Sequence, residues 1–298
     1  MTVVYEEPTV QAIQQAAFEH TCVPSCGMDE RATADMQERG GASRPDRIRG
    51  FDVIRGFSVI SMVLFHFCYD LVYLWDAPVA WFAPPLQDIW RASISWVLIA
   101  LAGIMCAYSR NNLRRGLRYL MLALAIYLAT ALARVDVPIS FGIIYCMGFS
   151  TMLVWLLQRF GFGERRSWCS WLLAACLLAL FLATLAVPSG LFGLAWMGGP
   201  SARVPAGLYQ SGVLSWLGFP GPQFASGDYY PPIPYALLFA AACVWWQASE
   251  HAIVKRWMSG LTCAPLEWVG RHPLSIYVLH QPLLLALSYL LASCAWSA

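Results

Sequence analysis

Four side chains inside one apolar run are of the types that move protons or hold phosphates: Asp52, Arg55, His66 and Asp70. On an α-helix turning 100° per residue, with Arg55 at zero, His66 falls at about 20° and both aspartates at about 60°. All four therefore share one narrow face, and the opposite face is Val, Ile, Leu and Phe. Along the axis, Arg55 and His66 are roughly 16 Å apart. A guanidinium suits a phosphate or pyrophosphate. A histidine can act as general base or take an acyl group, and Asp70, one turn on, could orient its ring and stabilise an imidazolium. The structural alternative is that these groups bond neighbouring helices and fix their packing.

Such residues matter because of where they lie. An ionisable group in a membrane helix is costly and is a functional candidate by default. The chain has 298 residues, 59% hydrophobic and 12% charged, with 14 Trp, 13 Tyr and 15 Phe. A soluble domain usually carries about 25% charged residues. The composition excludes an ordinary cytosolic enzyme and a disordered chain. A net charge of +2 on scattered basic residues argues against nucleic acid as a partner.

A bilayer core needs about 20 apolar residues per helix. The sequence predicts an all-α, polytopic membrane bundle of about seven spans: 51–74, 90–109, 116–133, 138–157, 168–188, 233–249 and 273–296. A re-entrant or interfacial piece could lie in 190–232, which is rich in Gly, Pro and Trp. Residues 1–43 carry two arginines against seven acidic residues, a net −5. They read as a disordered, acidic cytoplasmic tail with at most a short helix at 10–18. Residues 44–298 form the membrane domain. The acidic start and the lack of a signal-length apolar run argue against a cleaved signal.

Arginine placement sets the orientation. Arg44, Arg47, Arg49, Arg110, Arg114, Arg115, Arg118, Arg159, Arg165, Arg166, Lys255, Arg256 and Arg271 fall on one side, and only Arg91, Arg134 and Arg203 on the other. This predicts a plasma-membrane protein with its N-terminus inside and its C-terminus outside. Trp75, Trp81, Trp90, Trp196 and Trp216 then mark the outer interface. Most of the ten cysteines lie in apolar runs, as small buried hydrophobes do. Cys22 and Cys26 have no second ligand pair, a poor zinc site.

Weaker candidates remain. Ser93, Ser95, Ser140 and Tyr145 lie in spans, where hydroxyls usually serve packing. In the last span His280 follows Tyr277 and precedes Gln281 and Pro282, whose ring frees a carbonyl that His or Gln could satisfy. His280 reads equally as structural or as lining a site. His272 is placed at the interface, and His20 and His251 in solvent. The Arg110, Arg114 and Arg115 loop is either a topology signal on anionic lipid headgroups or a contact to a nucleotide-bearing donor. No P-loop, zincin or serine-hydrolase motif appears. A proton-coupled transporter would use the same polar face, but no pair of similar halves is visible.

Arg55 followed by His66 in the first span resembles the signature of acyltransferase-3 membrane acyltransferases. The wider context resembles bacterial members of the heparan-α-glucosaminide N-acetyltransferase catalytic-domain-like family. The resemblance rests on residues 47–56 leading to 65–70, on 102–116, on 139–148, on 270–282 and, more weakly, on 228–235. It implies transfer of an acyl group, usually acetyl from acetyl-CoA, onto a sugar or glycan acceptor outside the cytoplasm, with no metal. It makes His66 the catalytic histidine and Arg55 the signature arginine, and the shared helix face adds Asp70 to them. Arg55, Arg110, Arg114 and Arg115 would meet the donor, and Asp52, Tyr69, His280 and Gln281 the acceptor side. Two departures stand out. Eukaryotic members keep a reactive histidine in the loop after the first span, and 75–90 holds none here. The sixth predicted span has Ala240, Ala241 and Ala242 where glycines are usual.

Overall fold

The computed structural model describes residues 48–134, 137–161, 168–248 and 252–296. The tail, the 10–18 segment, Cys22, Cys26, His20, His251, Arg44, Arg47, Arg165 and Arg166 lie outside the described residues. The elements are α1 (Arg49–Tyr73), α2 (Leu86–Ile104) with a 3-10 turn at Met105–Ala107, α3 (Asn112–Ala133), α4 (Ile143–Gln158) and α5 (Trp168–Thr184). A short antiparallel hairpin, β1 (Leu191–Gly193) with β2 (Ser201–Arg203), precedes α6 (Pro232–Ala248), α7 (Ala252–Gly260), α8 (Ala264–Arg271) and α9 (Pro273–Trp296).

The helices turn apolar side chains outward, as a bilayer requires and water does not. In α3 Leu132 is 82% and Met121 66% exposed, and no charge follows Arg118 in that helix. Among the described residues, five helices are long and apolar enough to cross a membrane: Arg49–Tyr73, Leu86–Ala107, Asn112–Ala133, Trp168–Ser189 and Pro273–Leu290. A sixth results if α6 and α7 form one bent span. The fourth of the seven expected runs, 138–157, is helical only over the 16 residues of α4, about 24 Å.

That shortening has a local cause. Residues 138–142 are held out of the helix by the loop before α6. The Ser140 N–H donates to Ser226 Oγ, which donates to the Ser140 carbonyl. The Tyr230 N–H donates to the Phe141 carbonyl, and Phe141 takes a left-handed φ of 59°. Non-helical backbone at membrane depth is tolerated where protein satisfies it. Apolar-run counting cannot register such a tether.

Central in the bundle is α6, which packs on α2, α4 and α5; Phe239, Cys243 and Val244 are completely buried. Gly103 of α2 lets the backbones approach: a Cβ there would meet the Phe239 carbonyl. The close contact beside the alanine triplet is thus made by a glycine on the facing helix. Cys106, Cys146 and Cys243 are buried in this core, whereas Cys169 and Cys176 on α5 are exposed and Cys68 and Cys263 half-buried.

One end of the bundle collects the basic residues. Phe51 of α1 clusters with Leu101 and Ile104 of α2, Trp246 of α6 and Met258 of α7. Arg49, Arg55, Arg110, Arg114, Arg115, Lys255, Arg256 and Arg271 belong to the element ends gathered there. Trp81, Trp90, Arg91 and the 190–231 loop lie at the other end, where Phe65, Phe82 and Ile94 form a second cluster.

The tightest contact is α8 against α1. A Cβ on Gly56 would run into the Leu266 carbonyl, and one on Gly270 into the Asp52 carbonyl. Only glycine permits this double approach. We expect Gly56→Ala and Gly270→Ala each to cost about 1–3 kcal/mol, the scale of overpacking, seen as a lower melting temperature of the detergent-solubilised protein. Gly260→Ala, whose Cβ meets nothing within 4 Å, should leave it within error. Equal melting temperatures for all three would remove the argument.

Candidate active site

At the basic end, the α1–α8 contact sets Arg55. Its Nη1 donates to Asp52 Oδ1 at 3.1 Å and to the Gly270 carbonyl at 3.2 Å. The Asp52 side chain is 5% exposed and that of Arg55 18%, so the pair is desolvated and one-sidedly open. Breaking such a pair is more damaging than its net contribution suggests, because the partner is left buried and charged. Glu267 and Arg271 form a second ion pair on α8 at 2.9 Å.

About three turns further along α1 the same face meets α9. The rings of His66 and His280 lie 4.9 Å apart, centroid to centroid, inclined at 57°. His280 Nδ1 lies 2.6 Å from the Tyr277 carbonyl. A carbonyl oxygen only accepts, so Nδ1 carries the proton and Nε2 the lone pair. That Nε2 is buried with no hydrogen-bond partner among the described residues. Buried polar atoms in native proteins are nearly always paired, so an unpaired one beside a second imidazole marks a place for a reacting group. His66 is half-buried.

Asp70, 1% exposed, accepts from Gln281 Nε2 at 3.0 and 3.3 Å through its two oxygens. Gln281 thus ties the C-terminal half of α1 to α9, and its own Oε1 is buried without a partner. The sequence suggested Asp70 as the group orienting His66. The contact described for the Asp70 carboxylate is Gln281, and the ring of His66 faces His280. The Tyr69 ring lies 4.6 Å from that of Tyr73, inclined at 38°. Neither His280 nor Gln281 turns back to the carbonyl freed by Pro282, which belongs to Val278 by the helix repeat.

Asp228 is a member that sequence reasoning did not single out. Its Oδ2 accepts from the Ile143 N–H at 3.0 Å, at the N-terminus of α4, and from the Tyr277 hydroxyl at 3.4 Å. An acidic group there meets both an orphan N–H and the positive end of the helix dipole. Burial nevertheless pushes its carboxyl above the ordinary range, with the Ile143 N–H and Tyr277 hydroxyl acting the other way. Tyr277 is one turn before His280, and their rings are 5.6 Å apart. Asp228 therefore joins the 190–231 loop to the histidine pair. Its only sequence signal was its place in the weakest of the resembling segments.

The arginines expected to meet a donor divide. Arg115 Nη2 donates to the Ala102 carbonyl at 2.9 Å, and its guanidinium lies over the Tyr119 ring at 5.6 Å. It satisfies a carbonyl at the end of α2. Arg110 and Arg114 are exposed, and the Arg114 backbone N–H is capped by Asn111 Oδ1. These two are available to an anion at the basic end. Among the described residues no group of three or more His, Cys, Asp or Glu is placed to hold a metal.

No curated protein and no solved structure matches the chain significantly. A family model does, over residues 47–282: that of the heparan-alpha-glucosaminide N-acetyltransferase catalytic domain. The match begins just before α1 and ends at Pro282, so it takes in Asp52, Arg55, His66, Asp70, Asp228, His280 and Gln281. With most of its length matched, and a bundle of apolar helices around these residues, the chain belongs to this family of membrane acyltransferases.

Proposed function

We propose that the protein moves an acetyl group from acetyl-CoA, held at the basic end, to a sugar or glycan acceptor reached from the opposite end. The N-terminus lies in the cytoplasm, the C-terminus outside, and the membrane is the plasma membrane. The asymmetry of arginines between the two ends supports this orientation. The observation that carries the reading is the facing pair His66 and His280, roughly 16 Å along α1 from Arg55. An extended donor arm running along the polar face of α1 would cover that separation.

Arg110 and Arg114 take the phosphates of the donor, as guanidinium groups do. Arg55, fixed by Asp52 and Gly270, sets the mouth of the path. Two routes share the geometry beyond it. In the covalent route a ring nitrogen of His66 attacks the thioester carbonyl, an N–C bond forms, the C–S bond breaks and CoA leaves as its thiol after taking a proton. The acceptor O–H or N–H then attacks the acyl-imidazole, the C–N bond breaks, and His280 Nε2 takes the acceptor's proton. In the direct route the acceptor attacks the thioester carbonyl itself, His66 or His280 takes its proton, the C–S bond breaks, and that imidazolium returns the proton to CoA, which leaves as its thiol. The buried Asp70 carboxylate, one turn from His66, favours the imidazolium that each route forms.

Two measurements test this. Purified protein incubated with radiolabelled acetyl-CoA should retain label or release CoA, and His66→Ala should abolish both. Label on the wild type alone assigns the covalent route; CoA release without label assigns the direct one. Full activity in His66→Ala would end the assignment. Separately, the double variant Arg110→Gln, Arg114→Gln should raise the KM for acetyl-CoA by about ten-fold, the scale of two exposed charge contacts, with kcat kept. A fall in kcat at unchanged KM would place these arginines elsewhere in the cycle.

A further inference from the structure

Between the β1–β2 hairpin, the end of α5 and the start of α6 lies an open hollow of about 400 Å³, within the range of ligand sites. Its walls are apolar: Val187, Phe192, Leu208, Phe219 and Ile233. One charged side chain lines it, Arg203, on the exposed strand β2. Arg203 enters no ion pair or side-chain hydrogen bond among the described residues. It is also the one arginine of the 190–231 loop, at the end of the bundle opposite the basic cluster.

One wall residue of the hollow lies a few positions along the chain from residues that touch the site. Ile233, on its wall, follows Tyr230, whose ring packs at 4.8 Å on Tyr235, and Asp228, whose carboxylate meets Tyr277. An apolar slot with one unpaired cation at its rim, at the membrane's outer boundary, is complementary to a hydrocarbon chain ending in an anion. It is a poor match for a free sugar, which needs many hydrogen-bonding partners. We propose that the hollow holds the chain of a lipid-borne acceptor, with Arg203 on the phosphate that links chain to sugar. The inference rests on the acyltransferase reading and narrows its acceptor to a glycan carried on a membrane-anchored phosphate. The hairpin and the 3-10 turn at Ala206–Tyr209 would then form the acceptor's seat.

The test reads binding rather than transfer. Purified full-length protein is photolabelled with a benzophenone-bearing farnesyl phosphate, and labelled peptides are mapped by mass spectrometry. We expect label within residues 184–233. Unlabelled farnesyl phosphate should compete at least ten-fold better than farnesol or phosphatidylglycerol. Arg203→Gln should abolish that preference with the melting temperature unchanged. Label spread along the outward faces of α3 and α5, equal competition by phosphatidylglycerol, or a preference that survives Arg203→Gln would each overturn the proposal. Acetyl-CoA binding measured on the wild-type sample separates the two claims: specific labelling without CoA binding would count against acyl transfer alone.

Discussion

Two glycines facing two carbonyls set the geometry on which the site depends. Gly56 and Gly270 bring α1 and α8 to backbone contact, close enough for the Gly270 carbonyl to accept from Arg55. The guanidinium is thereby fixed between a carboxylate of its own helix and a carbonyl of the next segment. A side chain in place of either glycine would push α8 away. Because α9 follows α8 directly, the register that places His280 against His66 and Gln281 against Asp70 would shift with it. Sub-ångström packing at one end thus governs chemistry several turns away, as in other close-packed interiors.

The polar face of α1 is completed by α9, in two different ways. Gln281 Nε2 donates to both oxygens of Asp70 and pins the helices together, leaving Gln281 Oε1 buried and unpaired. The His66 and His280 rings meet at an inclination of 57°, with one nitrogen left buried and unpaired. A purely structural polar network is expected to satisfy its members, since an unpaired buried group costs about 1–3 kcal/mol. Gln281 Oε1 and Asn112 Oδ1 share this state among the described residues, so what sets His280 Nε2 apart is its place beside the His66 ring. Asp228 reaches the same region from the 190–231 loop, so that loop is tied to α9 through Tyr277.

Much of one half of this site was legible in the sequence. The helical repeat aligned Asp52, Arg55, His66 and Asp70 on one face, and the arginine asymmetry separated the two ends. The other half was not legible, because its contacts are remote in sequence: Gln281 is 211 residues from Asp70. Periodicity carries no information about which helix faces which. Arg115 looked like a member of a basic patch, and only its approach to Ala102 assigns it to the end of α2. The span at 138–157 was overlong because its first residues are apolar yet tied to Ser226 and Tyr230. Asp228 sat in a loop of Gly, Pro and aromatic residues, where a lone aspartate reads as solvated.

The central claim is that His66 and His280 act as one unit. The most direct measurement is acetyl transfer by His66→Ala, His280→Ala and the double variant under identical conditions. Residues acting together are strongly non-additive. The account predicts that each single variant loses most of the rate and that the double loses no more than the worse single. Full activity in His280→Ala, or losses that multiply in the double variant, would contradict it.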